Sequence, residues 1–155
     1  MERPANTSSI ASGGAAIVLN NRGFSRLSQN RLDEATADFV AALQKKPDLT
    51  AARNNLRLAI AMKGDYDRAT AGAVGAERAS VLNNAGLAAM LRGDYAKAKD
   101  LFAQAMKAKG EYYALAAANL EMVAALEGNP AMAGGHHVDE PAGKNSLIGT
   151  AQGRD

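Results

Sequence analysis

Residues 80–109, SVLNNAGLAAMLRGDYAKAKDLFAQAMKAK, decide the fold. Between Ser80 and Arg92, the residues Val81, Leu82, Ala85, Ala88, Ala89 and Leu91 recur at the spacing that lines one face of an α-helix. Gly93 stops that helix, because glycine enters the left-handed backbone region without a Cβ clash. Asp94 is placed to cap a second helix, in which Tyr95, Ala98, Leu101, Phe102 and Ala105 continue the i, i+3, i+4 rhythm. Lys107 and Lys109 fall in its last turn, where the helix dipole favours cations. The stretch reads as helix, tight turn, helix.

The same grammar recurs along the chain. Asn21, Asn55, Asn84 and Asn119 are followed nine residues later by Asn30, Gly64, Gly93 and Gly128, all types that tolerate a left-handed helix end. The spacings between those asparagines are 34, 29 and 35 residues, the arithmetic of two-helix hairpins stacked in series. Unit one spans Ala15–Gln29 and Leu32–Lys45, with Pro47 beyond it as a stop. Unit two spans Thr50–Lys63 and Tyr66–Glu77. A fourth first helix, Tyr112–Glu127, meets Gly128, Asn129 and Pro130 where its partner should begin. The expected fold is therefore all-α, with three helical hairpins and a C-terminal capping helix.

Packing positions follow from the same register. Ala35 and Ala42, like Ala98 and Ala105, stand seven apart on second helices, where small side chains let helices approach to about 8 Å. Phe39 and Phe102 would fill the layer between neighbouring hairpins. Unit two is the weak point: Gly72 and Gly75 interrupt its second helix, Arg68–Glu77, each costing about 1 kcal/mol relative to Ala.

Composition bounds the rest. At 155 residues the chain is one domain, and 47% hydrophobic content excludes wholesale disorder. The absence of Cys removes disulfides, thiolate metal sites and cysteine nucleophiles. Eighteen basic against sixteen acidic residues is too even for a nucleic-acid partner, which needs a clustered basic face. The apolar runs fall short of the ~20 residues that span a bilayer, so no direct membrane insertion is expected. Residues 1–14 read as a disordered lead without the basic and apolar regions of a signal peptide, and 15–128 as the helical repeat domain. Residues 129–155, rich in Gly and Pro, read as a disordered tail.

With these residues in hand, the chain resembles the tetratricopeptide repeat (TPR) family. Gly23, Ala35, Phe39, Ala42 and Pro47 fall on the small, small, aromatic, small and proline positions of its motif, and Gly86, Tyr95, Ala98, Phe102 and Ala105 match in unit three. Gly110 replaces the proline there, while unit two keeps Leu56, Gly64, Tyr66 and Ala69. Arg22 and Arg57 stand where an apolar and a small residue belong. The resemblance implies a short α-solenoid acting as a non-catalytic protein–protein interaction scaffold.

More narrowly, LNNAGLAAMLRGDYAKAKDLFAQAM and EYYALAAANLEMV, with the ARNNL helix at 52–56 and Tyr112–Tyr113, resemble TPR proteins of bacterial tight-adherence (Flp-type) pilus assembly. That likeness implies a partner in a pilus-assembly or secretion machine. Such relatives usually carry an export signal or a lipid-attachment cysteine, and neither is found in these residues. The sequence alone reads as cytoplasmic and the resemblance as periplasmic or envelope-associated, which leaves the compartment open.

Candidate binding residues lie on the first helices. The doublets Asn20–Asn21, Asn54–Asn55 and Asn83–Asn84 share one offset. The second Asn of each is expected to bond across the hairpin, and Asn20, Asn54 and Asn83 to face a groove. An Asn side chain both donates and accepts, so three in register could hold the backbone of an extended peptide. Leu58, Met62, Leu87 and Met90, with Phe24 and Leu27, would supply apolar pockets, and Arg53 a partner for an acidic residue or a carboxyl terminus. Two alternatives stand. The doublets either bind a peptide or protein partner, or only solvate the face and bond neighbouring helices. The whole chain is either an interaction module or a self-associating scaffold whose Tyr112–Val123 helix stacks on another copy, giving a homo-oligomer.

Other signals reduce to structure. Arg92–Gly93–Asp94 spells an adhesion tripeptide, but it is a helix end, a terminator and a cap, as Lys63–Gly64–Asp65 is one unit earlier. His136 and His137 with Asp139 lack a preorganised third and fourth ligand, so no metal is expected. Lys97, Lys99, Lys107 and Lys109 interleave with Asp94, Asp100 and Glu111 as a solvated face. A nucleophile needs a base in reach and an oxyanion donor. The only histidines lie in the tail, and Asp33–Glu34 and Asp65–Asp67 favour the dipole at helix starts. No catalytic residue and no cofactor are expected.

Overall fold

Three left-handed turns cut the chain where the sequence places them: Asn30 has φ 59°, Gly64 φ 90° and Gly93 φ 78°. A computed structural model describes residues 7–110 and 113–128. Helices α1 (Thr7–Ser28) and α2 (Leu32–Lys45) flank Asn30, and α3 (Thr50–Met62) and α4 (Tyr66–Thr70) flank Gly64. Helices α5 (Gly75–Leu91) and α6 (Tyr95–Lys109) flank Gly93, and α7 (Ala114–Gly128) follows. Among the described residues the protein is all-α, with no strand. The expected caps form: Asp65 accepts from the Arg68 backbone N–H at 3.2 Å and Asp94 from that of Lys97 at 3.3 Å. Each satisfies one of the amide donors that a helix start leaves unpaired.

Packing runs between neighbours. α1 lies on α2, α2 on α3, α3 on α5, α5 on α6 and α6 on α7, while α1 also meets α3 and α5 meets α7. Among the described residues, neither α1 nor α2 meets α5, α6 or α7. This is a helical, repeat-like architecture, in which each unit buries its apolar face on the next.

The Gly–Phe pairs show why the outer hairpins close. Phe39 and Phe102 are fully buried, as are Ala35, Ala42, Ala98 and Ala105. A Cβ on Gly23 would lie 2.7 Å from Cε1 of Phe39, and one on Gly86 2.6 Å from Cε1 of Phe102. Each ring therefore rests on bare helix backbone, and burying it contributes about 1.5–3 kcal/mol. Arg22, odd beside these residues in sequence, answers a buried acid. Asp38 accepts from Arg22 Nε at 2.9 Å, from Arg22 Nη2 at 2.6 Å and from Arg26 Nη1 at 2.6 Å. The Arg22 hydrogen bonds hold the Asp38 carboxyl below the usual carboxylate range, against the opposing effect of burial.

Two expectations need correction. Residues 7–14, read as part of a disordered lead, belong to α1. The Ser12 hydroxyl donates to the Lys45 carbonyl at 3.1 Å, tying this first part of the helix to the end of α2. Residues 1–6 and the tail 129–155, with His136, His137 and Asp139, lie outside the described residues.

The second correction concerns unit two. Its second helix, expected over Tyr66–Glu77, ends at Thr70 after five residues. The chain leaves the helix at Ala71, whose ψ is 137°, and turns through Gly72 at φ 67°. Gly72 therefore sits in the turn that ends the helix rather than weakening its interior, and Gly75 at φ 57° starts the next one. Gly75 to Glu77 open α5 instead, five residues before its expected start at Ser80. The middle hairpin therefore has a stub where its neighbours have a full second helix.

Candidate functional site: the cleft between α3 and α5

The asparagine doublets ride on α1, α3 and α5 at one offset, but their neighbours sort them. On α1, Asn20 Oδ1 accepts from Asn55 Nδ2 of α3 at 3.0 Å. On α5, Asn83 is 1% exposed, and its Oδ1 accepts from Asn119 Nδ2 of α7 at 2.9 Å. An amide bridge thus joins first helices at both outer junctions. Asn83, expected to face a groove, is buried: α7 covers it, and the desolvated carbonyl is satisfied by the Asn119 amide.

The middle junction, α3 with α5, has no such bridge. Asn54 and Asn84 are both exposed, and neither side chain is hydrogen-bonded among the described residues. They line a cleft of about 250 Å³, counting its open mouth, together with Arg57, Leu58, Ala69, Val81 and Ala85.

Arg57 has a distinctive place in the repeat. It stands 34 residues after Gly23, and Ala73 stands 34 after Phe39. The glycine and ring of unit one are thus replaced in unit two by a long cation and a methyl group. Arg57 Nη2 lies 3.8 Å from Glu77 Oε1, beyond hydrogen-bond length, and Nη1 is shut from solvent with no hydrogen-bond partner. An unmade buried hydrogen bond costs about 1–3 kcal/mol, more for a charged group. The Tyr66 hydroxyl is a second buried orphan, and burial pushes its phenol up from the ordinary value, outweighing the Arg92 cation nearby.

The remaining sequence candidates separate. Phe24 is exposed on α1, outside the cleft lining. Arg53 Nη2 donates to the Pro47 carbonyl at 3.2 Å, tying α3 to the turn before it. Met62 packs on both core clusters, and Leu87 and Met90 pack half-buried on the larger one, so these three are core-filling residues. Of the nine candidates, the cleft gathers Asn54 and Leu58. It adds Asn84, read from sequence as a structural bond-maker, and Arg57, read only as a departure from a motif. The signal for Arg57 was present: it is a charged residue at the offset where units one and three have glycine.

No family model, curated protein or solved structure matches the chain. Among the described residues, no helix is long and apolar enough to cross a membrane.

Proposed function

We propose that the protein is a non-catalytic interaction module, a short α-solenoid of the tetratricopeptide type, that docks an extended segment of a protein partner in the α3–α5 cleft. One observation carries this reading: the amide bridge found at both outer junctions is missing at the middle one, which leaves Asn54 and Asn84 free on either side of a cleft. Each free amide can pair with one N–H and one C=O of an extended backbone. Leu58 and Val81 offer apolar contact between them. The likeness to pilus-assembly repeat proteins makes components of such machines the first partners to test.

The test uses peptides selected from a random library against the intact protein, with affinity read by fluorescence anisotropy. An Asn54→Ala/Asn84→Ala double variant is expected to lose about tenfold or more in affinity, one modest net hydrogen bond being lost at each position, with oligomer size unchanged. Retained binding with altered oligomer size would support the competing scaffold reading. A specific feature favours that alternative: Leu115 and Met122 of α7, seven residues apart, are 54% and 52% exposed.

A further inference from the structure

We infer that Arg57 makes the cleft selective for an acidic side chain, Asp or Glu, carried within the docked segment. The inference rests on the docking reading above and names the chemistry of its partner. Among the described residues Arg57 lines the cleft, and its Nη1 has no hydrogen-bond partner within the protein. Among the described residues, the carboxylate that pairs with Arg57 is that of Glu77, which stands on the Nη2 side at 3.8 Å and leaves Nη1 without a hydrogen bond. The acid–arginine cluster around the buried Asp38 shows what a satisfied arrangement looks like, with Asp38 receiving three N–H bonds from two arginines at 2.6–2.9 Å.

A guanidinium offers a planar fork that matches a carboxylate better than any other common side-chain group. Nη1 itself is shut from solvent, but the Arg57 side chain is 18% exposed. A carboxylate entering between Asn54 and Asn84 would supply the acceptor that Nη1 lacks once a turn of the guanidinium brings that nitrogen to the cleft. It would do so where solvent is already displaced, so the attraction is screened less than at an open surface. A side-chain carboxylate also stands off its own backbone by one or two methylenes. It can therefore reach Arg57 while the peptide backbone stays at the two asparagine amides, which a chain-terminal carboxylate cannot do in the same pose.

The test uses the full chain and four labelled extended peptides, alanine-rich, with a central Glu or Gln and an amidated or free carboxyl terminus. The amidated Glu peptide is expected to bind about tenfold tighter than the amidated Gln peptide, an advantage that shrinks at high salt. Arg57→Met should abolish that preference, so that the amidated Glu and Gln peptides bind it alike. Arg57→Lys, which keeps the charge without the fork, should retain part of it and serves as the reporter if Arg57→Met does not fold. Equal binding of amidated Glu and Gln peptides overturns the inference, Arg57 then holding only water, while the docking reading survives. A preference carried by the free terminus instead of the central Glu also overturns it. Failure of all four peptides to bind, alongside failure of the library-selected ones, removes the docking reading as well.

Discussion

At α1–α3 and α5–α7 an asparagine amide spans successive first helices, while at α3–α5 two asparagines face a cleft unbonded. At each of the three junctions the earlier helix carries an asparagine doublet and the later one an asparagine at the doublet's second position, which on α7 is the single Asn119. What differs is the hairpin behind each. Units one and three rest a phenylalanine on a glycine, with Ala35, Ala42, Ala98 and Ala105 closing the second helix against the first. Unit two has Arg57 and Ala73 at those offsets, and a second helix of five residues. A polar pair that locks two helices in one setting is left unbonded in the next. The lesson is that a repeated polar residue acquires its role from the packing around it.

The comparison can be broken at its strong side first. Phe102→Ala is expected to cost about 3–5 kcal/mol by leaving a cavity on Gly86, read by urea denaturation. An unchanged midpoint would sink the packing account. Next, Gly86→Ala places a methyl 2.6 Å from the Phe102 ring and should cost toward the upper end of about 1–3 kcal/mol, whereas glycine-to-alanine in an open helix stabilises. A neutral result would show that the ring can move aside.

Asp38→Asn sharpens the contrast in electrostatics. The folded carboxyl lies below its unfolded value of about 3.8, so its stabilisation is present above that value and is lost as pH falls through the folded one. The variant should lose about 1–2 kcal/mol near neutrality and show a flatter acid limb below about pH 4. Equal acid sensitivity of the two proteins would contradict the pairing. The smallest effect is expected in the middle unit. Gly75→Ala should cost about 1 kcal/mol because φ is positive there, although open space surrounds the position. In the same region, amide exchange in Tyr66–Thr70 should outrun that in Ala96–Met106. Slower exchange in the stub would contradict its assignment as the weak element.

Most of the fold was legible because it depends on neighbours in sequence. Asn30, Gly64 and Gly93 end helices through their own backbone preferences, and Asp65 and Asp94 cap the next ones through atoms three residues away. The stub was half legible. Gly72 and Gly75 announced trouble, but a glycine inside a helical pattern reads alike whether it loosens the helix or turns left-handed. The site was less so. Asn54 and Leu58 came from the register, whereas Asn83 and Asn84 exchanged their expected roles. No local rule separates two adjacent asparagines on a helix, since 100° of rotation decides which one meets the neighbouring helix.

By itself the sequence determined an all-helical chain of paired segments and the alanine, glycine and phenylalanine positions that close two of those pairs. Dihedral preference and periodicity are local properties, so they survive without knowledge of the neighbours. Only the tertiary structure decided which amides are spent on each other and which stand free, and that Arg57 keeps an unpaired nitrogen beside a cleft. Those outcomes depend on how α5 docks on α3 past a shortened α4, a long-range packing result that no window of sequence contains.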